Sequence, residues 1–225
     1  PIFTNLLLAD EINRAPPKVQ SALLQAMEER EVTIGKKTFK LPLPFLVFAT
    51  INPQEEQGVF PLPEAQIDRF LFNLKMWYLE VEEEEMLMEH NVEIKNLEEF
   101  GLRTVIDLND ILTMQQMVKE IELPEDVKEY TVDIVNATRY PGKYKYELHE
   151  YVRWGGSPRA VIWLNFAGRA NAFLEGRTKV NIHDIKETIT GVLRHRLILT
   201  YEGKILNIDK DEIIRSILKE IPIMV

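Results

Sequence analysis

The run Leu6-Leu7-Leu8-Ala9 followed by Asp10-Glu11 constrains this 225-residue chain more than any other segment. Four successive apolar residues leave no polar face for water, so a strand there is expected to be buried on both sides, as in a parallel sheet covered by helices. Two acids at the carboxyl end of such a strand point at the crevice where open α/β sheets bind ligands. One carboxylate there can hold Mg²⁺ while the next positions water, an arrangement suited to phosphoryl transfer. A strand that simply ends in two solvated acids is the competing explanation, and the surrounding sequence has to decide.

The alternation of strand and helix continues downstream. Pro16-Pro17 opens a helix with apolar positions at Val19, Leu23, Leu24, Ala26 and Met27, proline being suited to a first helical turn. Val32 and Ile34, then Phe39 and Leu41, alternate with polar residues across Gly35-Lys36-Lys37 and predict a hairpin. Phe45 to Thr50 reads as a second buried strand, residues 54–58 as a polar loop, 63–69 as a short helix and 70–74 as a third strand. After Tyr78 the strand signals largely vanish, so an α/β unit over residues 1–78 and a helical unit over 79–225 are expected. Acids at Glu82 to Glu85 favour a helix start through the helix dipole. Further helices are predicted over 111–118, from Pro124 to a stop at Tyr140-Pro141-Gly142, from Ser157-Pro158-Arg159, over 181–196 and after a cap at Asp209.

Composition excludes several classes. With 36 Asp+Glu against 27 Lys+Arg the net charge is −9, which weighs against a surface built to neutralise many nucleic-acid phosphates. The absence of cysteine rules out disulfides, thiolate zinc sites and Cys nucleophiles, and an intracellular, cytoplasmic setting is expected. No apolar stretch approaches the roughly 20 residues of a membrane span.

The acids gain meaning from what accompanies them: Ile12-Asn13-Arg14-Ala15-Pro16-Pro17 directly after, Ala49-Thr50-Ile51-Asn52-Pro53 at the end of the next strand, Pro61-Leu62-Pro63-Glu64-Ala65-Gln66-Ile67-Asp68-Arg69-Phe70, and Gly155-Gly156-Ser157-Pro158-Arg159-Ala160. Together, and in this order, these segments resemble the MoxR family of AAA+ ATPases from Pro1 to about Arg196. The resemblance implies an α/β P-loop NTPase core, present in part and built on a parallel sheet, followed by an all-α lid. It also implies ATP and Mg²⁺ as cofactors.

Carried over position by position, Asp10 and Glu11 match the Walker B pair: Asp10 would hold Mg²⁺ through its water shell and Glu11 would orient or deprotonate the attacking water. Asn52 matches sensor 1 beside the γ-phosphate, with an Asx-turn onto Pro53 as its local alternative. Arg69 matches the arginine finger that reaches a neighbouring subunit's nucleotide, against an ordinary ion pair with Asp68 or Glu64. Arg159 matches sensor 2 at a helix start, where the backbone already attracts phosphate, although Ser-Pro-Arg is also simply a good helix cap. Arg14 stands close enough to Walker B to act at a subunit interface. Lys36, Lys37 and Lys40, in the hairpin that matches an insertion before sensor 1, could touch a substrate or merely solubilise a turn.

One motif is missing. No G-x-x-x-x-G-K-[ST] occurs, so the phosphate-cradling loop and its lysine are absent from this sequence. The expectation is a fragment that begins just before Walker B, binds nucleotide poorly alone and exposes a sheet edge. His90 with Glu93 and His183 with Glu187 lack a second nearby histidine and read as ordinary residues rather than metal ligands. Trp154, Trp163, Phe166 and Phe173 read as lid core. The resemblance implies a homo-oligomeric, hexameric ring that remodels protein clients, among them proteins with von Willebrand factor A domains. The alternatives are a nucleic-acid-acting AAA+ motor, with nucleic acid disfavoured by charge, and a non-catalytic scaffold on the same fold.

Overall fold

The computed structural model describes residues 2–52, 58–90 and 101–222. Its first part is built on β1 (Leu6–Ala9) and β4 (Leu46–Ala49), paired in parallel with Leu6 opposite Leu46 and Ala9 opposite Ala49. Between them run α1 (Pro17–Glu29) and the hairpin of β2 (Glu31–Ile34) and β3 (Lys37–Lys40), which turns at Gly35 with φ 66°. Pro17 starts α1 as its spacing predicts, and Leu23, Leu24 and Ala26 are buried. Val19 is not: it is 54% exposed, and the neighbouring Gln20 points inward instead. Gln20 Nε2 donates to the carbonyls of Ile12 and Phe60 at 3.1 and 2.9 Å, which compensates the burial of an amide.

Periodicity predicts burial of β1 on both faces, and the structure covers only one. Leu7, Ala9, Val47 and Ala49 pack against Ile12, Leu23 and Leu62. Leu6 and Leu8, on the other face, are 60% and 64% exposed, because α1 lies on a single side and no described element covers the opposite one. The parallel register is extended past the strands by Thr50 N donating to Ala9 O and Ile12 N donating to Thr50 O, at 3.1 and 3.0 Å.

The predicted third strand over 70–74 does not form. Its backbone groups are instead spoken for by the helical part: Asn73 N donates to Gly191 O at 2.8 Å, and arginines 194 and 196 donate to the carbonyls of Asn73 and of Phe70 and Leu71. Phe72 lies where a side chain on Gly191 would sit, with a Cβ there only 2.9 Å from its ring, so a larger residue would displace the ring.

The remainder is mostly helical: α2 (Glu64–Ile67), α3 (Val81–His90), α4 (Leu108–Glu120), α5 (Glu125–Arg139), the single-turn α6 (Pro141–Tyr144), α7 (Pro158–Leu174), α8 (Ile182–Leu193), α9 (Tyr201–Ile205) and α10 (Lys210–Glu220). The caps follow the sequence. Ser157 accepts from Arg159 N, Asn181 from Asp184 N and Asp209 from Asp211 N. Ile134, Leu164, Ile185, Ile189, Ile213, Ile214 and Ile217 interlock as the core of this part. The lid also contains a small antiparallel pair, β5 (Val152–Trp154) with β6 (Ile198–Leu199), which the sequence does not announce. Trp163 and Phe173 pack against the core as expected, whereas Trp154 is 61% exposed and Phe166 also reaches solvent. A register irregularity between Val152 and Trp154 breaks the alternation that would place Trp154 on the buried face of Val152. The polar loop expected over 54–58 and Glu93 lie largely or wholly outside the described residues.

Candidate functional site

At the carboxyl ends of β1 and β4 a single hydroxyl organises the two acids. Thr50 Oγ1 donates to Asp10 Oδ1 at 2.6 Å and accepts from Glu11 N at 2.8 Å. Glu11 is in the left-handed region, φ 47° and ψ 53°, which costs an L-residue about 1–2 kcal/mol. Such a conformation persists only where its surroundings impose it. Here Thr50 does so through its side chain on Glu11 N and its carbonyl on Ile12 N. The result turns the chain sharply after β1 and leaves both carboxylates at the sheet's open end. Glu11 also pairs with Arg14 at 3.2 Å. Asn52 lies half-buried just beyond β4, and Pro53, the partner of its local alternative, is outside the described residues.

A second group of side chains joins the α/β part to the lid. Glu28, on the last turn of α1, pairs with both Arg69 and Arg159: Arg69 Nη1 lies 3.1 Å from Oε2 as an ion pair, and Arg159 Nη2 donates to Oε1. Next to them Asp68 accepts from Ser157 Oγ at 2.7 Å and from Arg196 Nε at 2.8 Å. Arg196 is almost fully enclosed and also donates to the carbonyls of Asp68 and Phe70, at 2.8 and 2.7 Å. Burial draws its guanidinium below the ordinary value while Asp68 acts against that. His195, beside it, is pushed down to about 4, first by burial and then by the Arg196 charge.

The loop before Arg159 is equally determined. A Cβ on Gly155 would lie 2.3 Å from the Thr138 carbonyl group, so only glycine fits there. Gly156 N donates to Thr138 Oγ1 at 2.9 Å and Arg139 Nε to Gly156 O at 2.8 Å, which aims Ser157 at the start of α7.

The structure therefore sorts the sequence-predicted residues into two clusters: Asp10 and Glu11 on Thr50, and Arg69 and Arg159 on Glu28. The described ion pairs of the two arginines go to Glu28 and Asp68, and none to Asp10 or Glu11. The partner foreseen for an ordinary Arg69 ion pair, Asp68 or Glu64, is replaced by Glu28. Sequence reasoning missed Thr50, Glu28, Asp68 and Arg196. A polar residue closing an apolar strand beside two acids is a signal for Thr50, while Glu28 and Arg196 act across more than a hundred residues and leave no local mark. His183 and Glu187 form an exposed pair at 3.0 Å, and among the described residues no group of three His, Cys, Asp or Glu could hold a metal. No described helix is long and apolar enough to cross a membrane.

Comparison with known proteins gives this geometry a family. Residues 1–72 match the model of the ATPase family associated with various cellular activities (AAA), and residues 145–217 match an AAA lid domain. The chain is 42% identical over 223 residues to the chaperone MoxR1 of Mycobacterium tuberculosis, covering 98% of this chain and 58% of that protein. It is also 42% identical over 228 residues to YeaC of Bacillus subtilis, an uncharacterized protein, covering 100% of this chain and 67% of that one. The chain belongs to the MoxR family of AAA+ ATPases. A crystal structure of a candidate ATPase from Cytophaga hutchinsonii superposes with a TM-score of 0.93 at 40% identity, covering 100% of this chain and 68% of that one. The chain spans 58% of the length of the mycobacterial relative and 67% of that of the Bacillus one.

Proposed function

We propose that this chain is the Walker B, sensor and lid portion of a MoxR-type ATPase that couples ATP hydrolysis to the remodelling of partner proteins. The observation that carries the reading is Thr50 locking Glu11 into a left-handed turn beside Asp10, strain held at the end of a sheet strand where α/β proteins bind ligands.

The donor set suits Mg²⁺, a hard cation that takes one or two carboxylates and leaves its other positions to water and phosphate. Asp10 would hold it through water, and the bound ion would neutralise charge on the phosphates. The residues of the chain do the rest. Glu11 orients the attacking water and accepts its proton, with Arg14 holding one carboxylate oxygen and Thr50 the backbone. Asn52, just beyond β4, holds the water and the γ-phosphate together. Arg69 reaches the nucleotide of the neighbouring subunit, and Arg159, which shares Glu28 with it, is delivered to the same phosphate. The division between core and lid falls at residue 78, with the nucleotide bound between neighbours in a hexameric, cytoplasmic ring. Protein clients, including those with von Willebrand factor A domains, are the proposed partners.

Because no phosphate-cradling loop is present in the sequence, nucleotide affinity belongs to the complete protein rather than to these 225 residues. The trans assignment is tested by mixing. Arg69→Ala and Asp10→Ala variants of the complete protein each lose hydrolysis, and mixed rings regain part of it because Asp10→Ala subunits donate intact arginines. Absence of any recovery removes Arg69 from a trans role.

A further inference from the structure

The two oxygens of Glu28 are divided between two arginines far apart in the sequence, Arg69 after α2 and Arg159 in the first turn of α7. Two guanidinium groups this close repel each other, and the carboxylate between them is what makes their proximity favourable. Each guanidinium has five N–H donors, and Glu28 engages one from each, so most of the donor fork stays available. The Arg69 and Arg159 side chains are 31% and 42% exposed, so donors not engaged by Glu28 face solvent. A carboxylate that held the arginines as a substitute for phosphate would use up this capacity; Glu28 instead spaces and orients it.

We propose that Glu28 is a positioning residue that presents Arg69 and Arg159 as one unit to a single phosphoryl group, an inference that rests on the ATPase reading above. The second shared carboxylate supports it. Asp68 ties Ser157, the cap of α7, to Arg196, which fixes the backbone from which Arg159 extends. Glu28 then needs only to set the guanidinium heads, and its α1 position couples them to the element that follows the Asp10-Glu11 turn.

The test is steady-state hydrolysis by the complete protein carrying Glu28→Gln. The amide matches the carboxylate in shape but turns an N–H₂ toward one guanidinium, so that arginine is released. The expected result is a fall in kcat of about tenfold with KM changed by less than about threefold, the pattern of a group that matters in the transition state. Glu28→Asp, which keeps the charge, recovers part of the loss. Mixing Glu28→Gln with Asp10→Ala subunits restores activity, because intact arginines then serve the intact acids. An unchanged kcat, or a loss that mixing does not relieve, overturns the proposal.

Failure of the ATPase reading is distinguished by the unsubstituted complete protein, which would then not hydrolyse ATP. In that event the pairing itself is read from urea unfolding of the 225-residue chain with Glu28→Gln, Arg159→Gln and both. Non-additive midpoint shifts are expected, and additive shifts refute the pairing.

Discussion

Arg196→Met removes the group that fastens residues 68–71 to the lid. The Arg196 side chain is 1% exposed and donates to Asp68 Oδ1, to the carbonyls of Asp68, Phe70 and Leu71, and to Val192 O. Methionine fills much of the same space but offers no donor. Asp68, 17% exposed, is then a largely buried carboxylate with Ser157 Oγ as its close donor and Arg159 no nearer than 3.9 Å. Breaking one side of a buried pair costs about 3–5 kcal/mol, and orphaned carbonyls add to it where water cannot reach them. The expected loss is thus about 4 kcal/mol. At roughly 2–4 °C per kcal/mol for a chain of this size, the midpoint of thermal unfolding falls by about 8–16 °C. Urea titration followed by both Trp fluorescence and far-UV circular dichroism is the assay. Arg196→Lys recovers only a fraction, since one ammonium cannot reproduce a planar fork. A loss under about 1 kcal/mol for Arg196→Met refutes the argument that this guanidinium is the principal fastener between the two parts.

His195 gives the pH dependence. Its folded-state value of about 4 lies below the ordinary 6.5, so the unfolded chain takes up a proton first as pH falls and stability is lost between pH 6.5 and 4, by up to about 3 kcal/mol. Urea midpoints measured across this window should decline for the unsubstituted chain and decline much less for His195→Asn; Asp68, Arg196 and Lys210 are the charged groups that act on the ring. Thr50→Val deletes the hydroxyl that bonds Asp10 and Glu11 while keeping the side chain's shape. Hydrolysis by the complete protein should drop at least tenfold, with Thr50→Ser retaining most activity, because Glu11 is no longer kept in a conformation that costs about 1–2 kcal/mol. Gly155→Ala forces a methyl group to within 2.3 Å of the Thr138 carbonyl and should lower the thermal midpoint measurably, while Gly142→Ala, with open space around it, should not.

Local signals carried far into this fold. Proline at the start of α1, the Gly35 turn, and the caps Ser157, Asn181 and Asp209 all act within a few residues of the elements they define. The parallel strands were legible for the same reason, each being a short apolar run closed by polar residues. Where the reading failed, the deciding partner was distant. Residues 70–74 have the composition of a strand, but a strand exists only if another edge accepts its hydrogen bonds, and the described edge partners here are Gly191 and two lid arginines. Val19 lies at the right helical spacing for burial, yet the carbonyls of Ile12 and Phe60 favour the amide of Gln20 in the neighbouring direction. The acids of the site were visible because they adjoin each other. Glu28 was not, because its role depends on Arg159, 131 residues away.

In the proposed reaction Glu11 activates water beside a metal ion held at Asp10. The direct measurement is Mg-ATP binding and turnover by the complete protein with and without Glu11→Gln, alongside the 225-residue chain. Binding retained within a few-fold, turnover reduced at least a hundredfold and little binding by the short chain are expected, since general-base assistance is worth about 10²–10⁴-fold. Turnover unchanged by Glu11→Gln would contradict it, and the strained turn after β1 would then serve the fold rather than the chemistry.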